Sequence, residues 1–520
     1  MTDGSSQPTP EADAEARRLL SVDHLQSDIV PRSVRSGGVT LAAQAMKVLV
    51  QGAAIIVLAR LLAPADFGLF AMVAAFLTLL ELFKDLGLST ATVQRADLTL
   101  RQVSTLFWLN SALGLLVAAL FALAAPLLAW GYGEERLLSI TSVVAIAFVF
   151  TGLAAQHLAL LRRQMRFAVV ARTQVGAEIV SLVAAIAAAF GGMGVWALVV
   201  QRLVWAVAMA VGGWISCRWV PGAPGPIAEV RSFISFGGYA TASMGVNYLS
   251  NSLDKVLIGW YWGAAPLGLY DRAQRVHLLP IQNLNIPLAN VALATLSRLI
   301  DQPARYRQVY LAAVERIGMV ISPLGGLLVA AAAPFVHLIL GPQWAEAVPI
   351  LTWMSAALAY LPVSYAVSWL FMSQDRTPEM LRAGLANSAV VIAAIAAGLP
   401  FGPVGVAAAY VVTGAMLRAP LMFWLVGRRG PVRTSDLWRA VLMPAVAGAA
   451  VAMVVWLART WGGFARLDTG ADAAISLLLA GITALLVYAA FPSGRHALVG
   501  LFRLRALLFD RHDKTVPSAH

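Results

Sequence analysis

Three of the four lysines in this chain, Lys47, Lys84 and Lys255, lie inside apolar stretches that are long enough to cross a bilayer. An ammonium group in the hydrocarbon costs about 2.5 kcal/mol or more even on lenient insertion scales. Such a charge therefore requires a partner, water or an anionic ligand. A lysine offers an anion a flexible point charge, whereas an arginine offers a planar fork that matches phosphate oxygens. The chemistry that these residues favour is anion binding along a polar route through a membrane.

The candidates for anion binding lie on the first, seventh and eighth apolar segments. The predicted headgroup-binding residues are Lys47, Lys255, Arg272 and Arg275. Polar side chains accompany them, and on the seventh segment they recur at three- or four-residue steps, which places them on one helix face. The predicted cavity-lining residues are Gln51, Asn247, Asn251, Asp254, Asp271, Gln282 and Asn283.

Less specific interpretations of these residues stay open. The amides could bridge neighbouring helices, which is worth about 0.6 kcal/mol per interaction in membranes. Lys255 could extend outward from near its helix end, and Arg272 could pair locally with Asp271.

Two further charges, Glu178 and Arg202, occupy similar depths on adjacent predicted helices. In the second half of the chain both counterparts are uncharged, Ser388 and approximately Thr413. Their joint replacement predicts a structural ion pair between Glu178 and Arg202. A proton relay through Glu178 is the alternative.

Composition defines the class of protein. Hydrophobic residues make up 59% of the 520 residues, charged residues make up 12%, and the mean hydropathy is +0.75. An ordinary soluble domain has about 25% charged residues. Apolar segments of about 20 residues or more recur along the chain, and each could span about 30 Å of hydrocarbon. The pattern predicts an all-α polytopic membrane protein with about 14 transmembrane helices.

The net charge of +12 is explained by membrane topology. Among the predicted outer loops, the basic residues are only Arg60, Arg136, Arg459 and Arg466. An excess of Lys and Arg in short inner loops orients a membrane protein, so both termini are predicted to be cytoplasmic. No nucleic-acid partner is implied. The sequence has no CxxC, HExxH, Walker or GxGxxG motif in a suitable context, so it predicts neither a metal site nor a nucleotide or other cofactor.

Internal repetition relates two halves of the chain. LAPADFGLF at 62–70 matches WGAAPLGLY at 262–270, and AAIAAAFGGMGV at 184–195 resembles AAIAAGLPFGPVGV at 393–406, with Arg172 and Arg382 equivalent. Six helices separate the copies, so two parallel six-helix repeats around a central cavity are expected. The predicted parts are a disordered cytoplasmic N-terminus at 1–35, an N-lobe at 36–216, a C-lobe at 232–426, a terminal helix pair at 437–491 and a cytoplasmic tail at 492–520.

The short connections between helices favour transport over catalysis. A lipid-linked sugar polymerase or ligase would need a sizeable outer loop with catalytic residues, and the longest outer loop, about 459–470, has no room for one. A multidrug or small-cation exporter is the other alternative. It would need an acidic cavity, whereas the central helices hold more Lys and Arg than Asp and Glu.

Two runs resemble the bacterial polysaccharide (oligosaccharide) flippases: YLSNSLDKVLIGWYWGAAPLGLYDRAQRVHLLPIQNLNIPLANVALATLSRL at 248–299, and GGVTLAAQAMKVLVQGAAIIVLARLLAPADFGLFAMV at 37–73. This family belongs to the multidrug/oligosaccharidyl-lipid/polysaccharide exporter superfamily. The resemblance implies an inner-membrane flippase that moves undecaprenyl-diphosphate-linked oligosaccharides to the periplasmic leaflet for lipopolysaccharide or exopolysaccharide synthesis. The implied partners are that substrate, membrane lipid and a polysaccharide polymerase. Coupling to H⁺ or Na⁺ through Asp254 or Glu81 is neither required nor excluded.

Overall fold

Every regular element in the described part of the computed structural model is a helix. The structure describes residues 29–85, 87–95, 98–226, 230, 252–464, 467–491 and 494–495. Hydrocarbon offers no partner for a backbone N–H or C=O, and a helix satisfies these groups within its own segment. The long runs of Leu, Ala and Val therefore form helices, and the predicted all-α fold class is confirmed.

The chain divides into two compact units, residues 1–268 and 269–520. The helices that begin in the first unit are α1 (Ile29–Leu61), α2 (Pro64–Asp85), α3 (Leu88–Gln94), α4 (Leu100–Leu123), α5 (Ala125–Tyr132), α6 (Arg136–Arg163), α7 (Phe167–Phe190), α8 (Trp196–Cys217), α9 (252–262) and α10 (Ala264–Arg298). The division falls later than residue 232, where the C-lobe is predicted to begin. The predicted lobe boundaries stay a prediction.

Helices α4, α6 and α8 share an aromatic core on the side of the first unit where α6 ends and α7 begins. Phe107 lies at its centre, with ring centroids 5.7 Å from His157 and 5.9 Å from Trp214. The imidazole of His157 stacks on Trp214 at 4.4 Å and donates from Nε2 to the carbonyl oxygen of Trp219 at 3.1 Å. Close packing of these large rings holds the ends of α6 and α8 together.

The repeated motif brings two helix starts into backbone contact within the first unit. A Cβ atom built on Gly68 of α2 would overlap the carbonyl oxygen of Ala264, and one built on Gly268 would overlap that of Pro64. The contact is reciprocal at the repeat offset of 200 residues, since Pro64 corresponds to Ala264 and Gly68 to Gly268. Only glycine allows this approach. The Gly-Leu-aromatic motif therefore encodes a helix crossing.

The second unit continues from α10 through a second set of helices. They are α11 (Pro303–Ile339), α12 (Val348–Ala356), α13 (Leu361–Ser373), α14 (Thr377–Gly398), α15 (Gly402–Thr413), α16 (Ala419–Gly427), α17 (Thr434–Trp461) and α18 (Thr469–Ala490). A π-helical turn, Gly414–Arg418, joins α15 to α16.

The terminal helices α17 and α18 pack on α11 and belong to the second unit. Gly326 of α11 meets the backbone of Gly448 so closely that a Cβ atom could not fit. Ion pairs tie the helix ends, because Arg307 contacts Asp436 at 2.5 Å and Arg459 contacts Asp472 at 2.9 Å. Both aspartates are buried, so each pair neutralises a carboxylate that would otherwise be costly.

The described helices establish a multi-pass membrane protein. Ten helical stretches of the described residues, some of which join consecutive helices, are long and apolar enough to cross a bilayer. The pair Pro342–Ala359 and Leu361–Ser373, bent by 50°, could add an eleventh. One of the ten, Thr377–Gly427, contains 51 residues and turns at Gly402, where φ is 76°. The predicted count of about 14 crossings stays a prediction, because part of the seventh segment lies outside the described residues.

Candidate functional site

The predicted headgroup residues are distributed over both units. Lys47 and Lys255 lie in the first unit, and Arg272 and Arg275 lie in the second. The predicted cavity residues Asn247 and Asn251 lie outside the described residues. Each unit is therefore described by itself.

In the first unit, five side chains from four helices form a connected group, here called the α1–α8 cluster. Its members are Lys47, Glu81, Glu178, Arg202 and Trp205. Arg202 forms an ion pair with Glu81, and its guanidinium carbon lies 5.0 Å from the ring centroid of Trp205. Glu178 is close enough to the indole N–H of Trp205 and to Lys47 to interact electrostatically with both. The group thus contains two cations and two carboxylates, with the indole ring of Trp205 beside Arg202.

The predicted ion pair between Glu178 and Arg202 is wrong. Arg202 pairs with Glu81 of α2 instead, and Glu178 interacts with Lys47 and Trp205. Similar depth on adjacent helices does not define which side chains face each other, because that depends on the rotation of each helix about its axis. Trp205 follows Arg202 by one helical turn, so its ring lies beside the guanidinium.

The sequence suggests Glu81 only as a residue for ion coupling, and it does not single out Trp205. A tryptophan in an apolar helix normally indicates packing. The signal available for Trp205 was its N–H group, which requires an acceptor when it is buried. In the described part of the chain, the buried Nε atom of Arg202 has no hydrogen-bond partner. The guanidinium therefore keeps one donor beyond its pair with Glu81.

The other predicted residues of the first unit lie on α1 and α9. Gln51 is half-buried and follows Lys47 by one helical turn on α1. Asp254 is buried, and its Oδ1 accepts a hydrogen bond from the backbone N–H of Lys255 at 2.8 Å. Lys255 is half-buried, so its side chain is neither sealed in the core nor fully extended into the surroundings.

In the second unit, two arginines of α10 lie close to the same carboxylate, that of Asp271. These three residues, Asp271, Arg272 and Arg275, are called the Asp271 cluster. Arg272 Nη2 lies 2.5 Å from Asp271 Oδ2, and Arg275 Nε lies 3.5 Å from the same oxygen. Arg272 is buried, whereas the Arg275 side chain is 56% exposed. The local pairing of Arg272 with Asp271 is thus the arrangement found. The cluster carries a net positive charge, and Arg275 is the member with an accessible guanidinium.

The two amides predicted farther along α10 differ in environment. Asn283 is half-buried and donates from Nδ2 to the carbonyl oxygen of Leu279 at 3.0 Å, within its own helix. Gln282 is exposed. No group of three or more His, Cys, Asp or Glu side chains within the described ranges could hold a metal ion.

Residues 57–349 match the family described as polysaccharide biosynthesis protein. The chain is 28% identical over 273 residues to the teichuronic acid biosynthesis protein TuaB of Bacillus subtilis strain 168, covering 52% of this chain and 56% of TuaB. It is 24% identical over 345 residues to the lipopolysaccharide biosynthesis protein WzxC of Escherichia coli K12, covering 66% and 70%. It is 27% identical over 318 residues to the succinoglycan biosynthesis transport protein ExoT of Rhizobium meliloti strain 1021, covering 60% and 64%.

Two solved structures share the fold. The inward closed conformation of the lipid II flippase MurJ has a TM-score of 0.69 at 15% identity, covering 88% of this chain and 99% of MurJ. The inward-facing conformation of a multidrug resistance MATE family transporter of the MOP superfamily has a TM-score of 0.60 at 16% identity, covering 77% and 98%. At these identities the likeness concerns the helical architecture alone.

Proposed function

Since the chain belongs to the polysaccharide biosynthesis protein family, we propose that it is a flippase for lipid-linked oligosaccharides in the bacterial inner membrane. Its substrate is an undecaprenyl-diphosphate-linked repeat unit, moved from the cytoplasmic to the periplasmic leaflet by alternating access. The observation that carries this proposal is the family match over residues 57–349. The similarity to ExoT, a succinoglycan biosynthesis transport protein, supports transport over catalysis.

The Asp271 cluster supports an anionic substrate. Its one carboxylate is already paired with Arg272 and approached by Arg275, so it offers little to a cationic drug. Arg275 retains an accessible planar fork, which suits the oxygens of a diphosphate. This arrangement weighs against the multidrug exporter as the alternative function, despite the shared fold.

The membrane potential could supply the free energy for this transport. A diphosphate with about two negative charges moves outward from a negative interior and gains roughly 2.3 kcal/mol per charge per 100 mV. The gain is about 5 kcal/mol per 100 mV, which requires no coupled ion. The prenyl tail stays in the lipid, so only the polar headgroup needs a route through the protein.

Deletion of the gene that encodes this chain tests the function directly. In its host, loss of the chain should strand lipid-linked repeat units on the cytoplasmic leaflet, where a membrane-impermeant sugar-oxidising reagent cannot reach them in intact cells. The susceptibility of the cells to cationic drugs should not change. Normal exposure of the repeat units together with increased drug susceptibility would instead support the exporter.

Arg275→Ala tests the role of the Asp271 cluster in the same strain. We expect at least about a tenfold loss of export, because one charge-assisted bidentate contact to phosphate is worth about 1.5–3 kcal/mol. Arg298→Ala is the matched control, since Arg298 is exposed in the last turn of the same helix. Membrane abundance is measured for both variants. Equal export by the two variants at equal abundance would remove Arg275 from the transport route.

A further inference from the structure

An open cavity of about 690 Å³ lies in the first unit, between the start of α7 and the end of α8. Three of its lining residues are arginines, Arg166, Arg172 and Arg218, and none of the described lining residues is acidic. In the part of the chain that the structure describes, none of the three arginines forms an ion pair with a carboxylate. The charge pattern of the loops predicts that this end of the helices faces the cytoplasm.

The backbone holds two of the three arginines in fixed positions. Arg166 directly precedes α7, and its N–H donates to the carbonyl oxygen of Leu161 at 2.9 Å. Its Nη1 donates to the carbonyl oxygen of Ser216 at 3.4 Å, which directs the side chain toward the end of α8. Arg218 ends α8 in the left-handed conformation, with φ of 53°.

The second unit contains the same turn at an offset of 210 residues. Arg376 directly precedes α14, and its N–H donates to the carbonyl oxygen of Phe371 at 2.9 Å. Its Nη1 donates to the carbonyl oxygen of Val426 at 3.2 Å, as Arg166 does to Ser216. The residues before the two arginines, Met165 and Asp375, are both left-handed, with φ of 54° and 53°.

The two copies of the turn differ in whether a carboxylate of the chain pairs with the arginine. In the second unit, Glu379 contacts Arg376 at 2.7 Å and Arg429 at 3.3 Å. The equivalent position in the first unit is Val169, which lines the cavity and offers no charge. The first copy therefore has the arginines and an open volume where the second copy has an internal carboxylate.

We propose that this cavity binds a phosphate-bearing anion, in the place of the carboxylate that Glu379 supplies in the second unit. The phosphate oxygens accept hydrogen bonds from the guanidinium groups of Arg166, Arg172 and Arg218. The ligand is a phosphate ester or free phosphate, and the cavity's place at the helix ends points to an anionic phospholipid of the cytoplasmic leaflet. The inference does not depend on what the chain transports.

The test measures binding to the purified full-length chain in neutral detergent. Phosphatidylglycerol, phosphatidylcholine and inorganic phosphate are added separately, and the thermal unfolding midpoint is followed with each. We expect the midpoint to rise with phosphatidylglycerol and not with phosphatidylcholine. A rise with inorganic phosphate alone would identify a soluble phosphate as the ligand. If neither phosphatidylglycerol nor inorganic phosphate raises the midpoint, the proposal is overturned.

Val169→Glu is the decisive variant, because it gives the first copy the carboxylate of the second. It should fold, since the second unit holds a glutamate at this position and acidic residues are favourable in the first turn of a helix. We expect at least a tenfold loss of affinity, whereas Val169→Gln, of similar size and uncharged, should bind within about threefold of the wild type. Equal binding by the Glu and Gln variants would overturn the proposal.

Arg172→Gln provides a second and independent measurement. It should also weaken binding at least tenfold, whereas Arg162→Gln should leave it unchanged. Arg162 is exposed, lies near the same turn and does not line the cavity. Each substitution removes one positive charge, so the two variants have the same net charge. Equal losses in the two would show a general attraction of anions to the basic loops and would overturn the site.

Discussion

At the scale of single residues, the charges inside the helices are handled in two ways. Arg202 is neutralised by Glu81 from another helix, while Arg272 is neutralised by Asp271, the preceding residue on its own helix. A buried charge without a partner is costly, so both arrangements preserve the fold. Arg275 differs because it shares a carboxylate that already has a closer partner, which leaves its guanidinium accessible.

The Glu81–Arg202 pair predicts a measurable coupling. Glu81→Gln and Arg202→Gln should each lower membrane abundance and the thermal unfolding midpoint, since each leaves a partly buried charge without its partner. The double variant should lose less than the sum of the single variants. The matched cycle with Glu178→Gln and Arg202→Gln should show a smaller coupling. A larger coupling in the Glu178 cycle than in the Glu81 cycle would contradict the pairing of Arg202 with Glu81.

At the scale of elements, glycines set how closely helices cross. The reciprocal contact of Gly68 and Gly268 and the contact of Gly326 with Gly448 both bring backbone against backbone. In a membrane, helix association depends on close packing because lipid tails are as apolar as the side chains they meet. Small residues at these crossings therefore contribute to folding although they bury little apolar surface themselves.

Alanine substitution at these crossings is expected to be destabilising. Gly68→Ala and Gly268→Ala should each lower the free energy of unfolding by about 1–3 kcal/mol or more, because the added Cβ overlaps a backbone carbonyl that cannot rotate away. Gly52→Ala on α1 is the control, since no atom lies within 4 Å of its Cβ position. It should be neutral or stabilising by about 0.5–1 kcal/mol. Thermal unfolding in detergent measures all three, and similar effects at positions 52, 68 and 268 would contradict the crossing.

At the scale of the whole molecule, orientation in the membrane follows from the loop charges. Residue 135 and residue 346 are predicted to be periplasmic, and residues 162 and 428 to be cytoplasmic, because the arginine-rich loops remain inside. All four are exposed, so single cysteines at these positions should react once Cys217 is replaced by alanine. A membrane-impermeant maleimide should label 135 and 346 in intact cells, and 162 and 428 only after permeabilisation. Labelling of position 428 from outside would contradict the predicted topology.

The sequence alone determined the fold class, the family and the presence of the repeat. Hydrophobic length predicts spanning helices because hydrocarbon forces each backbone polar group to be satisfied within its own segment. The resemblance carried by residues 37–73 and 248–299 is confirmed by the family match over 57–349. The repeat was visible because matching glycines persist where backbones meet, as at Gly68 and Gly268.

Only the tertiary structure decided which charges face each other. Depth along a helix can be read from the sequence, which placed Glu178 near Arg202, but the rotation of each helix about its axis is set by packing against all its neighbours. That packing brought Glu81 to Arg202 and placed Trp205 against Glu178. It also opened the arginine-lined cavity at Val169, where the equivalent turn of the second unit is closed by Glu379. Side-chain pairing thus depends on contacts between segments far apart in the chain, which local periodicity does not record.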